Sequence, residues 1–124
     1  MLFRSFDIIF PEPDRSSPAR VLPGWAALAN DPSLVDLARR LPDHDSYFAA
    51  TLREAPAVLG FMMTDQSGPR RPAVKFSVGV AGDDPRPFLP TFASAVSDLP
   101  VLEEAASGLG SINNSADQIG RAHV

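Results

Sequence analysis

The chain contains no cysteine. That excludes a disulfide scaffold and thiolate metal sites, and leaves the compartment open. It also lacks a long apolar run. Ala57 to Met63, glycine included, is only seven residues, whereas a membrane span needs about 20. Basic residues are scattered and outnumbered, 11 Lys and Arg against 15 Asp and Glu, for a net charge of −4. An acidic chain without a basic cluster argues against nucleic acid and anionic membrane surfaces as partners. No strand-to-helix turn of the GxGxxG or GxxxxGK type occurs, and Gly79-Val80-Ala81-Gly82 is not one, so no phosphate cradle is visible. No serine sits in a GxSxG elbow, and without a well-placed second histidine no hydrolase triad assembles. The motifs point to no cofactor, no metal and no catalytic constellation.

What remains is a chain of 124 residues, the size of one domain. Its 44% hydrophobic content is enough for a core. Proline is over-represented, with 13 residues at about twice the usual ~5%. The prolines lie outside the apolar runs and mark long ordered loops.

Phe6-Asp7-Ile8-Ile9-Phe10, closed by Pro11, reads as a buried strand. A proline-punctuated loop follows to Pro18. Leu22-Pro23-Gly24-Trp25 reads as a loop, with Trp25 either anchored on the core or lying over a ligand. Asn30 and Asp31 before Pro32 signal a helix start, continued by Leu34, Leu37, Ala38 and Leu41. A second helix is predicted from about Asp45 to Glu54, with Phe48, Ala49 and Leu52 as its apolar stripe. Ala57 to Met63 is a second buried strand. Val74, Phe76, Val78 and Val80 alternate as an extended segment with one covered face. Phe92, Ala93 and Val96 suggest a short helical turn. Asp98 is placed to cap a helix from Pro100 to Ser107, with Gly108 as its stop. Gly110-Ser111-Ile112-Asn113 opens another strand. This alternation predicts an α/β fold, a mostly parallel sheet with crossover helices and long proline-rich loops, incomplete at both ends.

In parallel sheets ligands sit beyond the carboxyl ends of the strands. Three strand exits carry polar groups: Glu12, Asp14 and Arg15; Thr64 and Asp65; Asn113 and Asn114. Together with Asp7 they form the candidate ligand-binding set. Asp7 lies within an apolar strand, where an unpaired charge is costly. It either faces a polar site or is paired, with Arg15 as a candidate partner. Glu12-Pro13-Asp14-Arg15 could hold a cation or an amine, but fixing its own loop through Asx-type bonds and an Arg–carboxylate fork is the simpler reading. His44, between Asp43 and Asp45, has no companion at metal-ligand spacing and reads as a capping-loop residue. The pairs Arg70-Arg71 and Asp83-Asp84 read as solvated loops.

The order of segments carries a resemblance. Phe6-Asp7-Ile8-Ile9-Phe10, Glu12-Pro13-Asp14-Arg15 and Ser17-Pro18 are followed by Asp45 before Phe48-Ala49-Ala50-Thr51-Leu52. Val58-Leu59-Gly60-Phe61 comes next, then a proline-rich middle and Leu99-Pro100-Val101-Leu102-Glu103-Glu104-Ala105-Ala106. Gly108-Leu109-Gly110-Ser111-Ile112-Asn113 and Asp117 close the series. This resembles the second type of CHASE domain, the cyclase/histidine-kinase-associated sensory extracellular domain. The resemblance implies an extracytoplasmic, periplasmic sensory domain of a bacterial membrane-anchored receptor, homodimeric at full length. It implies a small-molecule or protein signal passed to a cytoplasmic output domain, commonly an adenylate/guanylate cyclase and sometimes a kinase. The domain itself would not be an enzyme. No ligand residues are established for the family, so none carries over. The family's first strand and helix would precede Phe6 and are absent, and Gln118 onward departs from its pattern. Two rival readings stand beside this one. The first is a fragment of a soluble metal-dependent α/β hydrolase using Asp7 and Asp14 with Mg²⁺. The second is a ligand-free dimerisation module.

The two ends read as non-native. Residues 1–5 can be coded GTG CTC TTC CGA TCT with a GTG start, and residues 118–124 as CAG ATC GGA AGA GCA CAC GTC. One sequencing-library adapter and its reverse complement explain both, so the ends are set aside as a cloning scar would be. The insert is then residues 6–117. Without Arg4 and Arg121 its basic residues fall to nine against fifteen acidic ones, and His44 is its one histidine. Sequencing the coding DNA tests this. The adapter codons are expected at both ends, and different codons at Phe3 or Arg121 would overturn the reading.

Overall fold

The computed structural model describes residues 4–68 and 70–113. The fold is α/β, built around one strand. Ala57–Thr64 (β2) is the longest strand, and every other strand pairs with it. Arg4–Phe6 (β1) runs parallel to its first half, in the register Arg4 to Ala57 and Phe6 to Leu59. Gly108–Ser111 (β4) also runs parallel, from Val58 opposite Gly108 to Phe61 opposite Ser111. Ser94–Val96 (β3) is antiparallel and pairs with Met62–Thr64.

Among the described residues four α-helices lie between these strands. Pro18–Ala29 (α1) begins on a proline, whose missing N–H costs nothing in the first turn. It ends at Asn30 in the left-handed region, φ 51°, a conformation that asparagine tolerates. Ser33–Arg40 (α2) packs against α1. Its start is fixed by Asp31, whose Oδ1 accepts from the Ser33 N–H at 3.0 Å and from its hydroxyl at 2.6 Å. Asp31 therefore does the capping work that the sequence suggests. His44–Glu54 (α3) is capped by Asp43, which accepts from the Ser46 N–H at 3.0 Å. Pro100–Ala105 (α4) packs on α3.

Helices α3 and α4 cover one face of the sheet. Ala49 and Leu52 meet Ala57 and Leu59 of β2 and Leu102, Ala105 and Ala106 around α4. Phe48 sits between Phe6 and Phe10 in edge-to-face contacts, with centroids 6.0 and 5.4 Å away. Gly60 has a packing reason. A Cβ there would lie 2.8 Å from the Ile112 side chain and 3.0 Å from the Phe6 carbonyl oxygen, so only glycine lets β1 and the chain after β4 close on β2.

Several elements differ from the sequence reading. The first strand is Arg4–Phe6, so two of the five residues set aside at the start lie in it. Beyond Phe6 the chain leaves β2. The Phe10 N–H and C=O go to the Asp98 carboxylate and the Leu99 N–H, at 2.7 and 2.9 Å. The Pro23-Gly24 step does not break α1, and Trp25 is 59% exposed rather than anchored on the core. Residues 94–96 form a strand because β2 offers them a partner edge, which no local periodicity reveals. Val74 to Val80, expected as an extended segment with one covered face, is no strand of the sheet. Val74 is 90% exposed and Phe76 69%, so the expected covered face is absent. Alternation shows which side chains share a face, not whether anything covers it.

Seven of the ten buried hydrophobic residues described are alanines; the others are Leu52, Leu59 and Leu102. Alanine buries little area, so three leucines carry much of the core. Leu102→Ala is expected to lower the unfolding free energy by about 2–5 kcal/mol in urea melts. Val74→Ala should change it by less than about 0.5 kcal/mol.

Candidate functional site

Helix α3 is joined to β2 by Ala55 and Pro56 and turns back along it. Its N-terminus therefore lies at the carboxyl edge of the parallel strands. The first predicted strand exit reaches this edge and fastens onto it. Asp14 accepts from the Ser16 N–H and hydroxyl, both at 2.6 Å. Its other oxygen lies 3.2 Å from His44 Nδ1. The Asp14 N–H donates to Asp45 at 2.9 Å, and the His44 N–H to the buried Ser17 hydroxyl at 3.1 Å. The Ser16 hydroxyl and N–H, with a smaller contribution from His44, hold the Asp14 carboxyl below its ordinary value. The Ser46 N–H does the same for Asp43. Glu12 pairs with Arg15 at 2.7 Å, both side chains largely exposed. Asp14 and the Glu12–Arg15 pair thus secure their own loop, and His44, expected in a capping loop, is instead the first residue of α3.

Asp7 is exposed, and the expected Asp7–Arg15 pair does not form, because Arg15 turns to Glu12. The Thr64 hydroxyl accepts from the Gln66 N–H at 3.1 Å and shapes the turn after β2. Asp65 is exposed beside it. Asn113 acts as a strand surrogate. Its side chain accepts from the Met63 N–H at 2.6 Å and donates to the Met63 C=O at 2.8 Å. Asn114 and Asp117 lie outside the described residues. Among the described residues no three His, Cys, Asp or Glu come together as a metal-binding group.

The sequence reading missed a buried charged cluster. Asp98 is fully buried and Glu103 is 4% exposed. Asp98 does not cap α4. Its Oδ1 accepts from the Phe10 N–H, and its Oδ2 is buried with no partner. Glu103 accepts from the Ser97 hydroxyl and from the Ala73 N–H at 3.2 Å. Arg70 is not a solvated loop residue. It donates to the Asp98 carbonyl at 2.8 Å and lies 3.5 Å from the Glu103 carboxylate. Burial pushes the Asp98 carboxyl up; the Phe10 N–H opposes this, the Glu103 charge adds to it and the Arg70 charge opposes it. The signal was Asp98 and Glu103 flanking an apolar Leu99–Leu102 run, where a carboxylate buries itself only with partners.

Two concave regions flank β3. A smaller recess of about 270 Å³, of mixed polar and apolar lining, lies between Pro11, Thr64, Ser67, Arg70 and Ser97, at the end of β2. Among the described residues of the predicted set, Thr64 lines it. A larger apolar groove of about 730 Å³ runs over Phe61, Met63 and Leu109, beneath the 71–76 segment. No family model, curated protein or solved structure matches the chain.

The Asp98 carboxyl is raised above its ordinary 3.8 in the folded state. The folded chain therefore holds this proton more tightly than the unfolded chain does. The resulting stability is fully present below 3.8 and is lost as pH rises through the raised value. Asp98→Asn keeps an oxygen acceptor for Phe10 and should flatten that part of a stability–pH curve. Wild type and variant falling in parallel would refute the assignment.

Proposed function

We propose that the chain is the sensory part of a bacterial membrane receptor, which binds a small polar ligand at the carboxyl edge of its sheet. The observation that carries this is the recess beside Arg70, Thr64 and Ser67 at the end of β2, the place where parallel sheets hold ligands. The Ser94 and Ser97 hydroxyls donate within the fold, whereas the Thr64 hydroxyl only accepts and the Arg70 guanidinium has donors beyond those it gives to Asp98 and Glu103, which suits a carboxylate- or amino-acid-sized molecule. The segment order resembling the second type of CHASE domain supports the receptor context. In that context the domain lies outside the cytoplasmic membrane and reports to a cyclase or kinase.

The recess is bounded by segments from three parts of the chain: Pro11, Thr64 and Gln66 to Gly68 with Arg70, and residues 94–97. A ligand that prefers one spacing of these segments shifts the domain by its differential affinity for the two arrangements. The signal then travels through the elements they continue into, α4 among them. The hydrolase reading has less support, since Asp14 is committed to Ser16 and His44 and Asp7 stands apart from that knot.

Titrating small carboxylates and amino acids into isotope-labelled chain, followed by amide NMR shifts, tests the site. Saturable shifts are expected at Thr64, Ser67, Gly68, Ser94 and Ser97, and Arg70→Ala should abolish them. Absence of any shift across the series would overturn ligand sensing at this recess. Turnover of phosphate or carboxyl esters that is lost in Asp7→Asn would favour the hydrolase. Neighbouring DNA without membrane helices would remove the receptor context.

A further inference from the structure

The apolar groove is the continuation of the core. Side chains at alternate positions of a strand face the same way, and Ala57 and Leu59 point into the α3–α4 core. Phe61 and Met63, further along the same face of β2, pass beyond the helices and line the groove instead. Leu109 of β4 joins both regions. Residues 71–76 cross above them in place of a helix.

This segment is tied down at several points along its length. Arg70 is held by Asp98 and Glu103, Ala73 by Glu103, and Lys75 by the Glu104 carbonyl at 2.9 Å. Val78 and Val80, further along, are 74% and 57% exposed. The polar side chains of the floor are already engaged. The Ser94 hydroxyl donates to the Gln66 carbonyl and the Ser111 hydroxyl to Asn113. The floor therefore offers hydrocarbon contacts and little polar demand.

The charged residues lining the groove are Arg71 and Lys75, both basic, in a chain whose net charge is −4. Lys75 uses one of its three donors on Glu104. We propose that this groove binds a free single-chain amphiphile with an anionic head group, its tail along Phe61, Met63 and Leu109 and its head at Arg71 and Lys75. A volume of about 730 Å³ falls in the range of small-molecule sites, about 300–1,000 Å³. A free molecule is favoured over a bilayer because the net negative chain is repelled by an anionic surface. This site is separate from the smaller recess, and β3 lies between them.

Dodecanoate below its micellar concentration is the probe, titrated into the whole chain by calorimetry. One saturable site per chain is expected. Dodecyltrimethylammonium, with the same tail and the opposite charge, should bind at least about tenfold more weakly, as loss of a charge-assisted contact implies. Ala93→Trp, at an exposed position on the groove wall, should block both amphiphiles. Arg71→Glu combined with Lys75→Glu should weaken dodecanoate alone. Neither variant touches the buried core, and an unchanged circular dichroism spectrum verifies that. No binding, equal binding of the two head groups, or indifference to both variants would overturn the proposal. So would sedimentation showing a dimer that Ala93→Trp dissociates, or binding to anionic vesicles but not to free dodecanoate.

Discussion

The polar junction at Asp98 and Glu103 joins pieces of chain that secondary structure leaves apart. Phe10 ends the run after β1, Arg70 and Ala73 begin the long middle segment, Ser97 follows β3, and Glu103 belongs to α4. No strand pairs Phe10 with Asp98. A carboxylate oxygen supplies the bond that a ladder would have made. Buried carboxylates are expensive, and one oxygen here has no partner. Such a cost persists only where the surrounding contacts hold it in place. The arrangement fixes where α4 sits, and with it the core.

The same device recurs at lower cost elsewhere. Asn113 clasps both backbone groups of Met63 after β4 has ended. Asp14 ties the loop after Phe10 to the start of α3. Side chains thus extend a sheet whose β1 and β3 have only three residues each. That explains the proline content as well. Proline-rich loops cannot donate along a ladder, so their positions are set by carboxylates, amides and hydroxyls from neighbouring segments.

Much of the architecture was legible because it is local. The stripe Phe48, Ala49 and Leu52, the apolar run from Ala57 and the Asp31 cap each depend on residues within a few positions. The parallel strands follow from the alternation of elements. Helix α1 was hidden by Pro23 and Gly24, whose usual meaning is a break. The sheet's third partner, β3, was hidden because three residues have no period. At the candidate site, Glu12, Asp14 and Arg15 were legible as a self-fixing loop. The Asp98–Glu103–Arg70 cluster was not, because its members are separated along the chain and meet only once β3 and α4 are placed. Thr64 was found and Ser97 missed for the same reason: one follows a visible strand, the other an invisible one.

Strand β2 is the partner of all the others, and no two of those others pair with each other. Among the described residues no two strands are joined by a tight hairpin turn. No two-stranded unit can therefore form early from neighbouring sequence, and every ladder closes across a long intervening stretch. Folding of this kind is slow, because loop-closure entropy is lost before the contacts return it. Until β2 is docked, its run of Val58, Leu59, Phe61 and Met62 and the Val74–Val80 segment are exposed together. The order in which the partners reach β2 decides whether the chain closes on itself or on a neighbour.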